Sequence, residues 1–268
     1  MVSPRRRFRG QLRPFLTIHW LLFTLFILIA IFAPFVAPYD PVRADLDQRL
    51  LPPSGEHWFG TDDNGFDVFS RVLHATRTNF SVAILGVALA ALLGVPLGAA
   101  SGYLRGVVGG TISRIAEMVQ AVPLFLFALM VFAALGNSKK VLVGVIAFAT
   151  APVFLKLTRA VVLPLKNSDF VSASRCAGLG TTAIITRHIL PNSLAPVVSQ
   201  LAVSCAYAIQ IVAGLSFLGL GVRIPEPEWG SMIQQGANNV LYGQWWTSVF
   251  PGIAVLLAVM AFGGIGRQ

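Results

Sequence analysis

The chain has 268 residues, of which 55% are hydrophobic and only 12% are charged, and its mean hydropathy is +0.73. An ordinary soluble domain carries about 25% charged residues. A soluble fold of this length exposes too much of its chain to water to hide so much apolar surface. The composition therefore excludes an ordinary soluble enzyme and indicates an integral membrane protein.

Six apolar segments are long enough to cross the membrane, since about 20 helical residues span the hydrocarbon core. Helices satisfy the backbone polar groups within lipid, and the sequence lacks the alternating pattern of a membrane β-barrel. We predict an all-α polytopic protein, with a basic cytoplasmic segment at 1–14 and one transmembrane domain at 15–268. The first apolar run is too long for a signal peptide, so we expect it to be retained. The predicted spans are 15–36, 79–103, 112–135, 141–162, 194–215 and 246–265.

The charges predict which loops face the cytoplasm. With both termini inside, the inner side holds 13 basic and two acidic residues, a net charge of +11. The outer side holds seven basic and nine acidic residues, a net charge of −2. Basic residues favour the cytoplasmic side, so we predict an N-in, C-in topology, to which Lys139 and Lys140 in a short outer loop are the exception. The net charge of +9 then requires no nucleic-acid partner.

Motifs for catalysis or metal binding are missing from the sequence. There is no phosphate-binding loop, no zinc-protease motif and no nucleophile elbow. The acidic outer stretch around Asp62, Asp63 and Gly65 does not match the spacing of a calcium loop. It predicts an Asx/Gly turn followed by a short outer helix at 67–76. We therefore expect no metal site and no cofactor bound by this chain.

The cytoplasmic segment 163–193 predicts two short helices joined by a tight turn. Ser168 or Asp169 suits the N-cap of a first helix at 170–177. Gly178 allows the backbone to turn, with Gly180 close behind it. A second helix runs to residue 188 and is ended by Pro191. We interpret this elbow as a docking element for a soluble partner, and the alternative is an amphipathic loop that touches only lipid.

The elbow resembles the EAA-type coupling loop of ATP-binding-cassette (ABC) importer permeases. The matching residues are Ala173, Gly178, Leu190 and Pro191, and residues 188–192 are similar to an H-I-L-P-N ending. Ser172 departs from the pattern, because a glutamate usually occupies that position. Further similar stretches lie at 60–71, 216–221, 227–230 and 245–252, together with Pro123. Together they resemble the C-type permease subunit of peptide/nickel-class importers.

The resemblance implies a type I ABC importer permease core (MetI-like), in the cytoplasmic (inner) membrane of a prokaryote. It implies a non-catalytic subunit that pairs with a homologous permease, two cytoplasmic ATP-binding subunits and an extracytoplasmic binding protein. ATP and magnesium would be bound by the ATPase subunits. Di- or oligopeptides are the first expectation for the substrate. Alternative substrates for the same kind of importer are nickel chelates, glutathione or opines. Alternative classes of protein are a stand-alone secondary transporter and a membrane anchor without transport activity.

Three groups of residues are the candidates for function. The ATPase-coupling candidates lie in the elbow: Asp169, Ser172, Ala173, Arg175, Gly178, Arg187, Ile189, Leu190 and Pro191. The translocation-path candidates are polar residues within spans, for which ordinary interhelical hydrogen bonding is the alternative: Gln120, Ser199, Gln200, Ser204, Tyr207 and Gln210. The candidates that face the binding protein are outer acids: Asp62, Asp63, Asp67, Glu226 and Glu228.

Overall fold

The structure is a computed structural model that describes residues 5–104 and 106–266, with side chains from residue 18 onward. The described residues are mainly helical, and short 3₁₀ turns occur at Leu46–Gln48 and Asn239–Tyr242. A π-helical segment spans Ile185–Ile189. The helices are α1 (Arg5–Val36), α2 (Val68–Tyr103), α3 (Val107–Ala121), α4 (Leu124–Leu135), α5 (Lys139–Leu165), α6 (Asp169–Cys176), α7 (Thr181–Ile184), α8 (Leu190–Phe217), α9 (Trp229–Gly236) and α10 (Trp246–Ile265).

Five helical segments of the described chain are long and apolar enough to cross a membrane, and α3 with α4 forms a sixth if the pair is one broken span. This agrees with the six predicted spans, and the last one, 246–265, coincides with α10. The five segments are Ile18–Val36, Val68–Tyr103, Lys139–Leu165, Thr181–Phe217 and Trp246–Ile265.

The third span differs from the uninterrupted helix expected at 112–135. The axes of α3 and α4 meet at 85°. Pro123 causes the break, because proline has no N–H to donate and disfavours helical geometry in the residue before it. Val122 accordingly has φ −78° and ψ 123°, which are extended values.

Two predicted helix boundaries are also wrong. The short outer helix expected at 67–76 is the beginning of α2, because nothing interrupts the helix between Thr76 and the membrane span. Asp67 is its N-cap and accepts a 2.7 Å hydrogen bond from the backbone N–H of Ser70. Pro191 does not end the second elbow helix. The helical run continues through it from Thr181 to Phe217, with the π-helical segment Ile185–Ile189 directly before α8. Local π adjustments of this kind re-satisfy the backbone groups that a proline frees.

The centre of the bundle is the packing of α2 against α5. An added Cβ at Gly94 would lie 2.8 Å from Cβ of Phe154, and one at Gly98 would lie 2.8 Å from Cβ of Thr158. The two backbones therefore approach closely only because glycine occupies both positions.

The connections lie at two opposite ends of the bundle. The loop end comprises residues 38–67, 136–138 and 218–245, joined by a 2.8 Å hydrogen bond from the Asn137 amide to the carbonyl of Gly219. The elbow end comprises the turn after α2 and residues 163–193, where Lys166 Nζ donates to the carbonyl of Gly102 at 3.3 Å. Successive connections alternate between these ends, as six crossings require.

Candidate functional site

A cavity of about 540 Å³ lies between the α3–α4 break, α5 and α8. Four of the translocation-path candidates line it: Gln120 from α3, and Gln200, Ser204 and Tyr207 from α8. The three residues of α8 share one face, because spacings of four and three return to the same side of a helix. Their convergence on an open space makes this the candidate translocation cavity.

Ser199 and Gln210 are not part of the cavity lining. Both are exposed, and each is displaced around α8 by roughly a quarter turn from the lining face, at 100° per residue. The structure therefore separates these two candidates from the other four.

The cavity also contains residues that the sequence analysis missed. Thr150 of α5 adds a hydroxyl, and the rings of Phe127 and Phe148 stack with centroids 4.3 Å apart. The described lining is otherwise apolar and carries no charged side chain. Amides and hydroxyls over an apolar wall suit neutral polar groups such as peptide bonds. Pro123, which lies at the α3–α4 break and in the lining, is the sequence signal for this part of the cavity.

The elbow at 163–193 consists of helices joined by a hydrogen-bonded turn rather than of an irregular loop. Its helix α6 ends in a Schellman motif, in which Leu179 N–H donates to Ser174 O at 3.1 Å and Gly178 N–H donates to Arg175 O at 2.9 Å. Gly178 makes the predicted tight turn, and its φ of +80° is a left-handed value. Gly180 has φ −68° and precedes α7.

A second apolar cluster fixes the elbow to the membrane helices. Val171, Ile184 and Ile189 of the elbow are buried and pack with Ala99 and Tyr103 of α2 and with Val162 of α5. Burial of a Val or Ile side chain contributes about 1.5–3 kcal/mol. Ile189 is thus a structural anchor of the elbow.

Arg175 is a second anchor. Its Nε donates to the Tyr103 hydroxyl at 3.1 Å, and its guanidinium carbon lies 5.2 Å from the centroid of that ring. Its Nη2 donates to the carbonyl of Lys166 at 3.3 Å. The guanidinium group of Arg175 is therefore already hydrogen-bonded within the chain.

The exposed surface of the elbow includes most of the other coupling candidates, whereas Leu190 is half-buried. Phe170, in the first turn of α6, is 41% exposed although its neighbour Val171 is fully buried. Phe170 is not among the coupling candidates predicted from the sequence, since its exposed place beside a buried valine is visible only in the structure. The exposed candidates are Asp169, Ser172, Ala173, Gly178, Arg187 and Pro191.

Three of the five outer acids are buried structural residues. Asp62 accepts hydrogen bonds from the N–H groups of Asn64 at 2.9 Å and Phe66 at 3.0 Å, which confirms the predicted Asx turn. Burial raises the pKa of Asp62, and these hydrogen bonds partly offset the effect. Asp67 caps α2 and contacts His57 Nδ1 at 2.9 Å.

Glu228 caps α9, and its two carboxylate oxygens accept from Gly230 N–H at 2.9 Å and Ser231 N–H at 2.8 Å. Its side chain is fully buried, and this burial raises the pKa of the Glu228 carboxyl. The candidates with exposed surface at the loop end are therefore Asp63 and Glu226.

Glu226 forms an ion pair with Lys139. Lys139 is one of the two outer lysines that are exceptions to the predicted excess of basic residues on the inner side. Its charge is thus neutralised by Glu226, an acid from another outer segment. The pair also joins the start of α5 to the segment before α9.

The loop end is assembled around a buried arginine that the sequence analysis did not identify. Arg71 of α2 is inaccessible to solvent. Its Nη1 donates to the carbonyls of Pro41 at 2.9 Å and Pro225 at 3.1 Å, and its Nε lies 3.9 Å from Asp62. The guanidinium also lies 4.3 Å above the Phe66 ring. One side chain therefore links both outer segments to α2.

A helical bundle has the architecture of a multi-pass membrane transport protein when it holds a cavity lined by amides, hydroxyls and apolar residues and a folded elbow between two of the lining helices. The family described as "Binding-protein-dependent transport system inner membrane component" matches residues 94–267, and "N-terminal TM domain of oligopeptide transport permease C" matches residues 20–53. The chain belongs to this family. It is a multi-pass permease subunit of an ABC importer, located in the inner membrane.

Curated relatives agree with this assignment. The chain is 38% identical to the "Dipeptide transport system permease protein DppC" of Alkalihalophilus pseudofirmus, over 99% of this chain and 88% of the relative. It is 39% identical to the protein of the same name from Escherichia coli, over 90% of this chain and 82% of the relative.

A solved structure, "Inward facing conformations of the MetNI methionine ABC transporter", is similar in fold. Its TM-score is 0.54 at 15% identity, with coverage of 72% of this chain and 97% of that chain. The similarity supports the MetI-like fold expected from the sequence.

Proposed function

We propose that this chain forms part of the pathway through which di- and oligopeptides enter the cell. Its partners would be a homologous permease, two cytoplasmic ATP-binding subunits and an extracytoplasmic binding protein. The dipeptide transport names of its relatives support the substrate class. The uncharged polar cavity suits a peptide backbone, whose N–H and C=O groups need hydrogen-bond partners.

The position of the elbow supports the proposal that movement of the ATP-binding subunits is coupled to the cavity. The elbow is the connection between α5 and α8, and both helices line the cavity. Its apolar cluster also reaches the end of α2. A force applied to the exposed surface of α6 therefore reaches the cavity wall through short, packed connections, as rigid-body gating requires.

ATP hydrolysis and the transport pathway are assigned to different subunits in this proposal. We infer that the ATP-binding subunits bind ATP and magnesium and perform the hydrolysis, while this chain performs no covalent chemistry. At the opposite end, Asp63 and Glu226 remain the proposed contacts with the binding protein, since they keep exposed surface at the loop end.

Docking at the elbow is tested by co-expressing the chain with its partner permease and ATPase subunits and purifying the complex. We expect Phe170→Ala to reduce the recovery of ATPase subunits, because an exposed aromatic ring is a typical interface anchor. Trp58→Ala is the matched control, since Trp58 is an exposed aromatic residue at the loop end. It should leave ATPase recovery unchanged.

Transport is tested with the assembled importer in proteoliposomes that contain ATP. Uptake of a labelled dipeptide in the presence of the binding protein is the expected result. A complex that hydrolyses ATP in response to its binding protein but takes up no peptide would contradict the proposed substrate class. Full ATPase recovery with Phe170→Ala would contradict docking at α6.

A further inference from the structure

A lysine stands at the edge of the cavity, on the same face of α5 as two residues that line it. Ala149 and Val153 line the cavity, and Lys156 follows Val153 by three residues, one turn closer to the elbow end. Lys156 Nζ donates a hydrogen bond to Oε1 of Gln120, which is itself part of the lining. This contact holds the ammonium group beside the elbow end of the cavity lining.

The charge of Lys156 is not balanced within the described part of the chain. None of the ion pairs formed there involves Lys156. Glu117 lies one turn before Gln120 on α3, but it does not approach Lys156 within ion-pair distance. The partner of the ammonium is thus a neutral amide. An ammonium has three donors, so two remain for another acceptor.

We propose that Lys156 binds the free carboxylate of a peptide as the peptide leaves the cavity, with Gln120 positioning the ammonium group. This inference rests on the proposed peptide substrate and names a specificity-determining contact for it. The negative charge of a carboxylate adds a Coulomb attraction to the ammonium group that a neutral carbonyl lacks. A carboxylate would therefore be distinguished from the uncharged groups that the rest of the cavity accommodates.

A lipid-facing anchor is the competing role, because lysines near helix ends often extend toward headgroups. The hydrogen bond to Gln120 favours the peptide, since it directs the ammonium group toward the cavity lining. The two roles respond differently to changes at Gln120. Replacement by glutamate would give Lys156 a permanent carboxylate partner within the chain, but would leave its reach toward lipid unaffected.

The experiment uses the complete importer in proteoliposomes, with dialanine and dialanine amide as substrates at concentrations that saturate the binding protein. We expect Lys156→Met and Gln120→Glu to lower ATP-driven uptake of dialanine by roughly tenfold, the change that about 1.4 kcal/mol produces. Uptake of the amide should change much less. Lys156→Arg should retain uptake of dialanine because it keeps the charge.

Lys140→Met is the matched control, because it removes an exposed lysine from the first turn of the same helix at the loop end. It should leave uptake unchanged, and all variants should retain their ATPase partners. Wild-type uptake of dialanine by both Lys156→Met and Gln120→Glu would overturn the inference. An equal loss for dialanine and its amide would overturn it as well, in favour of a structural or lipid contact. Absence of uptake of either substrate by the wild-type importer would instead refute the proposed peptide function, on which the inference depends.

Discussion

Gly178 gives the sharpest test of coupling through the elbow. Its φ of +80° is left-handed, and an added Cβ would meet nothing within 4 Å. A substitution there thus imposes backbone strain without a steric clash. The strain falls on the Schellman turn that joins α6 to α7, while the membrane helices remain untouched.

The size of the effect follows from this geometry. A left-handed conformation costs a residue with a side chain roughly 1–2 kcal/mol, and a β-branched residue lies at the upper end. We take about 2 kcal/mol for Gly178→Val, which shifts the equilibrium of the turn about 30-fold. Asparagine visits the left-handed region readily, so Gly178→Asn keeps the turn and serves as the matched control.

The assay measures ATP hydrolysis and peptide uptake in the same proteoliposomes. For Gly178→Val we expect the peptide taken up per ATP to fall several-fold, because the strained elbow transmits movement less directly. For Gly178→Asn the ratio should stay near that of the wild type. An unchanged ratio for the valine variant, in a complex that still holds its ATPases, would refute the role assigned to the elbow turn.

Three further changes test packing and buried charge by unfolding of the purified complex. Gly98→Ala should cost about 1–3 kcal/mol, since the new Cβ overpacks the contact with α5, whereas Gly144→Ala meets open space and should cost less. Arg71→Met should cost about 3–5 kcal/mol because it removes one partner of a buried ion pair, against about 0.5 kcal/mol or less for the exposed Arg77→Met. Asp62→Asn should remove a pH dependence. Burial raises the pKa of Asp62 above its usual 3.8, so its stabilising contribution is present below pH 3.8 and is lost as the pH rises through the raised value.

Each of these three has a result that contradicts it. Equal stabilities of the two glycine variants would mean that α2 and α5 can separate slightly without cost. Equal effects of the two arginine variants would show that Arg71 does not organise the loop end. If the stability of Asp62→Asn depends on pH in the same way as that of the wild type, the pH dependence belongs to another titratable group.

Hydropathy was sufficient to predict the membrane helices because it reports composition along the chain. The last span was placed correctly, at 246–265. The break at Pro123 was missed because residues 112–135 remain apolar across it, and hydropathy does not register the missing N–H of proline. The continuity of α2 before residue 79 was missed for the opposite reason, since these turns carry polar residues such as Arg71 and Thr78 that are buried in the fold.

The functional residues were harder to assign because sequence does not report burial. Asp62, Asp67 and Glu228 are acids of outer segments, and their polar character suggested a surface for a partner. The structure places all three inside hydrogen-bonded turns and caps. The elbow was predicted more completely because it depends on local rules: a capping residue, a left-handed glycine and short helices. The exposure of Phe170 and the anchoring roles of Ile189 and Arg175 required three-dimensional information.

Helix α2 is 36 residues long, which corresponds to about 54 Å at 1.5 Å per residue and exceeds the roughly 30 Å hydrocarbon core. At one end it holds Arg71, and at the other it contributes Ala99 and Tyr103 to the elbow cluster. The loop end and the elbow end of the bundle are therefore connected by a single helix, α2. Whatever changes the tilt of this helix from one side of the membrane must change it on the other. Binding events at the two faces then share a coupling free energy, and by thermodynamic reciprocity each alters the affinity of the other by the same factor.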